Sequence, residues 1–141
     1  LEAFQLPPLE VLLVGSPDHP LSSIKLEEEV DISHYIELVV RDSAAQYNRV
    51  PKTSFLGSKN KVYLSDFHSK RLALLSATGF GWMPRYLIQK DLDENQLVHL
   101  NFREPNQWTY NPWLVKMKNR RLGKASQLFR KSLLHSIDQK N

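Results

Sequence analysis

Asp66 to Pro84, DFHSKRLALLSATGFGWMP, passes from a polar strand end through an apolar helix into a buried strand, and its reading decides the fold. Upstream, Val62-Tyr63-Leu64 is rich in β-formers, and Ser65 or Asp66 offers a side-chain oxygen to the free amides of a helix starting at Phe67. Phe67, Leu74 and Leu75 share one face at helical spacing, and Leu72, Ala73 and Ala77 widen it. Such a helix is expected to lie on a sheet. Gly79 is expected to end it in the left-handed conformation, Phe80-Gly81-Trp82-Met83 returns as a strand, and Pro84 opens the next helix. The unit reads strand, helix, strand, helix.

Before this unit, Glu10-Val11-Leu12-Leu13-Val14-Gly15 is a nearly continuous apolar run, as expected of a strand covered on both faces. Leu1 to Leu9, with Pro7-Pro8, reads as an extended lead-in. Ser16-Pro17-Asp18-His19-Pro20 breaks the strand, and Leu26-Glu27-Glu28-Glu29-Val30 is a candidate for a short acidic helix. Tyr35 to Val40 is a second strand, with Arg41-Asp42-Ser43 at its carboxyl end. Ala44 to Asn60 reads mainly as loop. After Pro84, Tyr86, Leu87 and Ile88 are expected to supply the buried side of a helix, and Gln96 to Phe102 a partly exposed strand. Trp113 to Lys118 forms a further strand. Ala125, Leu128, Phe129, Leu133 and Ile137 stripe a C-terminal helix.

A chain of 141 residues with 41% hydrophobic and 24% charged side chains fits one globular domain of ordinary size. No apolar run reaches the eighteen or so residues of a membrane span. The start at Leu1 lacks both Met and the layout of a signal peptide, so the chain reads as a soluble piece of something longer. With no cysteine it has neither disulfides nor thiolate metal sites, which suits the cytoplasm.

Charge is unevenly placed. Leu1 to Asn111 carries 11 Lys and Arg against 14 acids, whereas Pro112 to Asn141 carries 8 against 1. Lys116, Lys118, Arg120, Arg121 and Lys124 read either as a nucleic-acid patch or as a solvated basic rim.

Catalytic patterns are missing from the sequence. The five histidines, at 19, 34, 68, 99 and 135, lack i, i+4 metal spacing on a helix, and there is no HExxH. Pro84 occupies the third glycine position of a dinucleotide fingerprint begun by Gly79 and Gly81. A phosphate-loop lysine and a Gly-x-Ser-x-Gly elbow are also lacking. The chain is therefore expected to be no enzyme and to hold no metal or cofactor.

GFGWMPRYLIQKDLDENQLVHL, Gly79 to Leu100, resembles the effector-binding domain of LysR-type transcriptional regulators in its Gly-x-Gly, the Pro opening a helix, the charged turn and the closing apolar strand. LEVLLVGSPDHPLSS, Leu9 to Ser23, is similar to the strand and Pro-Asp-His-Pro-Leu turn of that domain's second lobe. The order and spacing of the two motifs agree with the family.

The resemblance implies a bacterial regulator and an α/β, periplasmic-binding-protein-like (type 2) lobe. Its sheet is expected to be mixed and mostly parallel, with helices on both faces, followed by a C-terminal strand and helix. Residues 1–9 are expected to form the hinge segment, 10–107 the second lobe, and 108–141 the return strand and helix of the first lobe. Most of the first lobe and the DNA-reading helix-turn-helix are not within the chain, so any specific DNA contact would come through that missing unit.

Ligands in such sheets collect beyond the carboxyl ends of strands. Ser16, Arg41, Asp42, Ser43, Ser65, Asp66, Phe67, Phe80 and Trp82 are the positions matching the family's crevice wall, with a small anion as the expected effector. Arg41 has the fork that grips a carboxylate or phosphate, and its bland alternative is a surface ion pair. A homo-oligomer is expected to form through Trp113, Val115, Leu128, Phe129 and Leu133, because strand edges and apolar stripes seek partners. The alternative function is a scaffold module that binds protein or nucleic acid through the basic C-terminal segment.

Overall fold

The structure is a computed structural model and describes residues 1–41, 56 and 58–139. The chain divides into two compact units. One comprises Glu10–Trp108, and the other joins Leu1–Leu9 to Thr109–Asn141.

In chain order the strands are β1 (Glu2–Gln5), β2 (Leu9–Gly15), β3 (Ile36–Val40), β4 (Asn60–Leu64), β5 (Phe80–Pro84), β6 (Val98–His99), β7 (Gln107–Tyr110) and β8 (Trp113–Lys116). The α-helices are α1 (Phe67–Leu75), α2 (Arg85–Asp93) and α3 (Lys124–Asp138). Two strands, β1 and β8, form their own sheet, while the other sheet runs β4-β3-β5-β2-β6 with β7 also paired to β2. The larger sheet is mixed. Both described pairings of β3 are parallel, to β4 and β5, whereas β2 runs antiparallel to β5 and β6.

Alternation along the apolar strands supplies two cores. Val11 and Leu13 of β2 join Phe80 and Trp82 of β5 on one face, beside Leu21, Leu56, Leu100 and Phe102. On the other face Leu12, Val14 and Met83 meet Leu74 of α1 and Ile88 of α2. Burying each large side chain contributes about 1.5–3 kcal/mol. Among the described residues both α-helices of this unit lie on the second face. The first is covered by short 3-10 turns at Pro20–Ser23 and Ile32–His34 together with loop residues. The expected acidic helix at Leu26 to Val30 is absent, since three adjacent carboxylates have no apolar face to anchor a helix and remain exposed.

Asp66 caps α1, its Oδ1 accepting from the Ser69 amide at 2.7 Å. The expected face of α1 is buried only in part, with Leu74 in the core and Ala73 and Leu75 packed against it. Lys70 and Leu74 point inward, while Phe67 and Leu72 are 41% and 51% exposed. α1 also ends before Gly79. Ala77 takes the left-handed conformation at φ 58°, and the amides of Ala77 and Thr78 return to the carbonyls of Leu74 and Ala73 at 3.0 and 3.2 Å. Gly79 serves a different need, because a Cβ there would lie 2.4 Å from the Ile36 carbonyl oxygen.

Across the two helices, Arg71 grips Asp91 with both fork nitrogens, Nε to Oδ2 and Nη2 to Oδ1, each at 2.7 Å. In α2, Ile88 and Asp91 are buried, but Tyr86 and Leu87 are exposed, which corrects the expected face.

In the smaller unit, β1 and β8 pair antiparallel from Glu2↔Lys116 to Gln5↔Trp113. The lead-in thus supplies a neighbour for the strand at Trp113. The half-buried residues of α3 are Arg130, Leu133, Leu134 and Ile137, while Leu128 and Phe129 stay 69% and 63% exposed.

Ala77→Gly is predicted to stabilise the chain by about 1 kcal/mol, because it relieves a non-glycine residue from the left-handed region. Gly79→Ala is predicted to destabilise it by about 1–3 kcal/mol through the clash with Ile36. Urea unfolding midpoints of both variants check this pair, and a lower midpoint for Ala77→Gly would contradict the capping assignment.

Candidate functional site

Strand direction decides which sequence-derived residues meet. Because β3 and β4 are parallel with Val40 opposite Leu64, the chain leaves both strands at one edge of the sheet, at Arg41 and Ser65. The Arg41 amide donates to the Leu64 carbonyl at 2.8 Å and ties these exits together. β5 runs the same way and ends at Pro84, beside Val11 near the start of β2. Arg41, Ser65, Asp66 and Phe67 therefore share one edge.

Ser16 and Phe80 lie at the opposite edge, since β2 is antiparallel and Gly15 faces Phe80. The expected convergence of three strand ends thus holds for two. Ser16 is buried and its Oγ accepts from the Asp18 amide at 3.1 Å, so it shapes the proline turn. That turn continues through His19, whose Nδ1 accepts from the Leu21 amide at 3.1 Å and whose pKa is lowered by burial. Phe80 is fully buried and meets Phe102 edge-on at 6.1 Å between centroids. Trp82 lies mid-strand opposite Leu13, buried, with no hydrogen-bond partner for its Nε1. Asp42 and Ser43 lie outside the described residues.

At the shared edge the groups differ in freedom. Ser65 Oγ donates to Asp66 Oδ2 at 3.0 Å, and the Ser69 amide holds the Asp66 carboxyl below its usual range. Both Asp66 oxygens are thus engaged in starting α1. Arg41 is exposed, and no described carboxylate forms an ion pair with it.

One edge residue was missed from sequence. Arg85, the first residue of α2, follows Pro84 as Arg41 follows Val40, and it pairs through Nε with Glu10 Oε2. Pro84 supplies no side-chain cap, so the first amides of α2 also open at this edge, where they favour negative charge. An arginine directly after an apolar strand was the available signal.

Two further charged side chains of this unit are buried. Lys70 is 4% exposed and lies over Gly81, where a Cβ would sit 3.0 Å from its Cε and 3.2 Å from its Nζ. Burial lowers its pKa to about 8, against a smaller opposing pull from Glu37. Glu37, 1% exposed, accepts from the Leu56 amide at 2.9 Å and has no partner for Oε2; burial raises its pKa. Among the described residues no group of three or more His, Asp or Glu side chains could hold a metal ion, and no helix is long and apolar enough to cross a membrane.

A mixed sheet whose central strand is parallel to one neighbour and antiparallel to the other, with helices over one face, is a lobe of the periplasmic-binding-protein-like type 2 class. The chain belongs to the LysR substrate binding domain family, whose profile matches residues 1–138. It is 30% identical over 130 residues to the uncharacterized HTH-type transcriptional regulator YeeY of Escherichia coli (strain K12), covering 89% of this chain and 40% of YeeY.

Among solved structures it is similar to full-length HypT from Salmonella typhimurium, a hypochlorite-specific LysR-type transcriptional regulator. That match has a TM-score of 0.67 at 14% identity and covers 98% of this chain and 47% of HypT. It is also similar to the regulatory domain of Synechocystis PCC6803 CcmR in complex with 2-PG, with a TM-score of 0.65 at 10% identity over 96% of this chain and 66% of that domain. The chain thus spans less than half the length of the full-length regulators YeeY and HypT.

The buried lysine gives a pH signature. Its folded pKa lies below the unfolded value of 10.5, so the unfolded chain binds more protons between about pH 8 and 10.5, and stability gains from this group as pH rises through that window. Lys70→Met is predicted to be more stable than the parent at pH 7 by up to about 3 kcal/mol, with the advantage shrinking towards pH 10.5. Chemical denaturation across that range checks it, and an advantage independent of pH would contradict the account.

Proposed function

We propose that this chain is the effector-sensing part of a LysR-type regulator, binding a small anion at the edge where β3, β4 and β5 end, with no chemistry of its own. The carrying observation is the alignment of Arg41 and Ser65 by the Val40↔Leu64 register, with Arg85 and the uncapped start of α2 on the same edge. In this reading Arg41 and Arg85 supply charge, Ser65 a hydroxyl and α2 its amides, while Asp66 holds α1 in place. Phe67, half out in solvent, offers an apolar wall, and Asp42 and Ser43, next to Arg41 in sequence, are further proposed contacts. Ser16 and Phe80 contribute to stability, not affinity. The likeness to the CcmR domain held with 2-PG supports an anionic ligand class. DNA reading and a cytoplasmic location belong to the longer regulator of which this chain is a part.

The reading includes association between chains. Trp113, Val115, Leu128 and Phe129 are each at least half exposed and Leu133 is half-buried, leaving apolar surface beside the β8 strand. Sedimentation of the parent and of a Leu128→Glu, Phe129→Glu double variant tests this. A parent oligomer that the variant splits is expected, and a monomeric parent at micromolar concentration would overturn it.

Thermal shift with a panel of acetate, succinate, citrate and phosphate tests the site. The stabilising member is expected to lose about 1 kcal/mol or more of binding in Arg41→Ala, and to bind Ser16→Ala as it binds the parent. Loss in Ser16→Ala with none in Arg41→Ala would place the ligand at the wrong edge.

A further inference from the structure

The smaller unit contains a cavity of about 580 Å³, the size of a site for one small ligand, and its walls are cationic. Lys116 of β8, Arg120 and Arg121 of the connecting turn, and Arg130 and Lys131 of α3 all line it, with Leu122 and Leu134 among them. Among the described residues only one carboxylate answers these cations, Glu2, which is engaged with Lys116 at 2.8 Å.

Two features make the wall more than a solvated rim. The Arg130 guanidinium lies 4.7 Å from the centroid of the Phe4 ring, which holds it in place, and its Nε is shielded from solvent with no hydrogen-bond acceptor. Such a donor wants an oxygen. Moreover, α3 begins at Lys124 with Gly123 as a cap that has no side chain, next to Leu122, so the positive end of a fifteen-residue helix adds to the same potential.

We infer that this cavity is a second anion site, distinct from the strand-end edge, and that it takes a small molecule carrying two or more linked phosphates. Five cations around one concave volume exceed what a single carboxylate needs, whereas the forks of Arg120, Arg121 and Arg130 match the paired oxygens of a pyrophosphate or longer chain. Its concavity favours a compact ligand over the extended backbone of a nucleic acid.

Isothermal titration of the 141-residue chain with sodium tripolyphosphate at fixed ionic strength tests the inference. A site that needs Arg121 and Arg130 is expected, with orthophosphate weaker there and chloride inert. Arg121→Gln, an exposed position, and Arg130→Gln are each expected to weaken binding about tenfold or more. A Lys118→Gln, Lys124→Gln double variant removes two charges outside the cavity wall and is expected to stay within about twofold of the parent. In an Arg41→Ala background, which lacks the arginine of the strand-end edge, the binding that depends on Arg121 and Arg130 is expected to persist, which separates the two sites. Four results would overturn the inference: no binding at millimolar tripolyphosphate, full affinity in Arg121→Gln, equal weakening in the Lys118/Lys124 variant, or duplex DNA bound as tightly as tripolyphosphate.

Discussion

The structure of the larger unit depends on β5 being held on its two sides in opposite senses. It lies parallel to β3, with Glu37 against Phe80, and antiparallel to β2, from Val11↔Pro84 to Gly15↔Phe80. β5, like β2, contributes to both apolar cores, since Phe80 and Trp82 face one way and Met83 the other. It also demands glycine at two places. A Cβ at Gly79 would meet the Ile36 carbonyl oxygen at 2.4 Å, and one at Gly81 would meet that of Leu38 at 2.6 Å. Side chains there would push β3 and β5 apart.

The same strand fixes the electrostatics. Space left by Gly81 is filled by Lys70, an amine drawn under α1 at a cost in desolvation. On the neighbouring strand Glu37 anchors the Leu56 amide. These groups are buried away from the edge where Arg41, Ser65 and Arg85 emerge, with Glu37 level with Phe80 at the far end of β3. The edge itself is more open, because Arg41 is exposed while Asp66 is committed to capping.

Much of the frame was legible in the residues. The unbroken apolar run of β2, the Asp66 cap, the start of α1 at Phe67 and the contrast between the acidic body and the basic C-terminal segment all follow from local chemistry. What was not legible depends on partners distant in sequence. The direction of β2 relative to β5 is set by pairing, and nothing within Glu10 to Gly15 records it, so Ser16 was placed with Arg41. Helical spacing alone puts Phe67 and Leu72 on the inward face and does not mark Lys70 as buried. The structure buries Lys70 because Gly81 leaves room for a long side chain. Ala77 took the cap expected of Gly79 because the chain reverses two residues earlier than the glycine suggests. Arg85 joins the edge only because β5 runs parallel to β3, a direction that Phe80 to Pro84 does not record.

The smaller unit shows the converse. Its charge was plain from composition, but the concave arrangement of those charges needed β1, a lead-in strand that pairs with β8 and brings Phe4 under Arg130. For the larger unit the central claim is that ligand arrives where β3, β4 and β5 end and not where β2 ends. Hydrogen exchange of the chain with and without a stabilising small anion tests this most directly. The account predicts added protection at the amides of Arg41, Ser65 to Phe67 and Arg85 to Leu87, with Gly15 to His19 unchanged. Protection confined to Gly15 to His19 would contradict it.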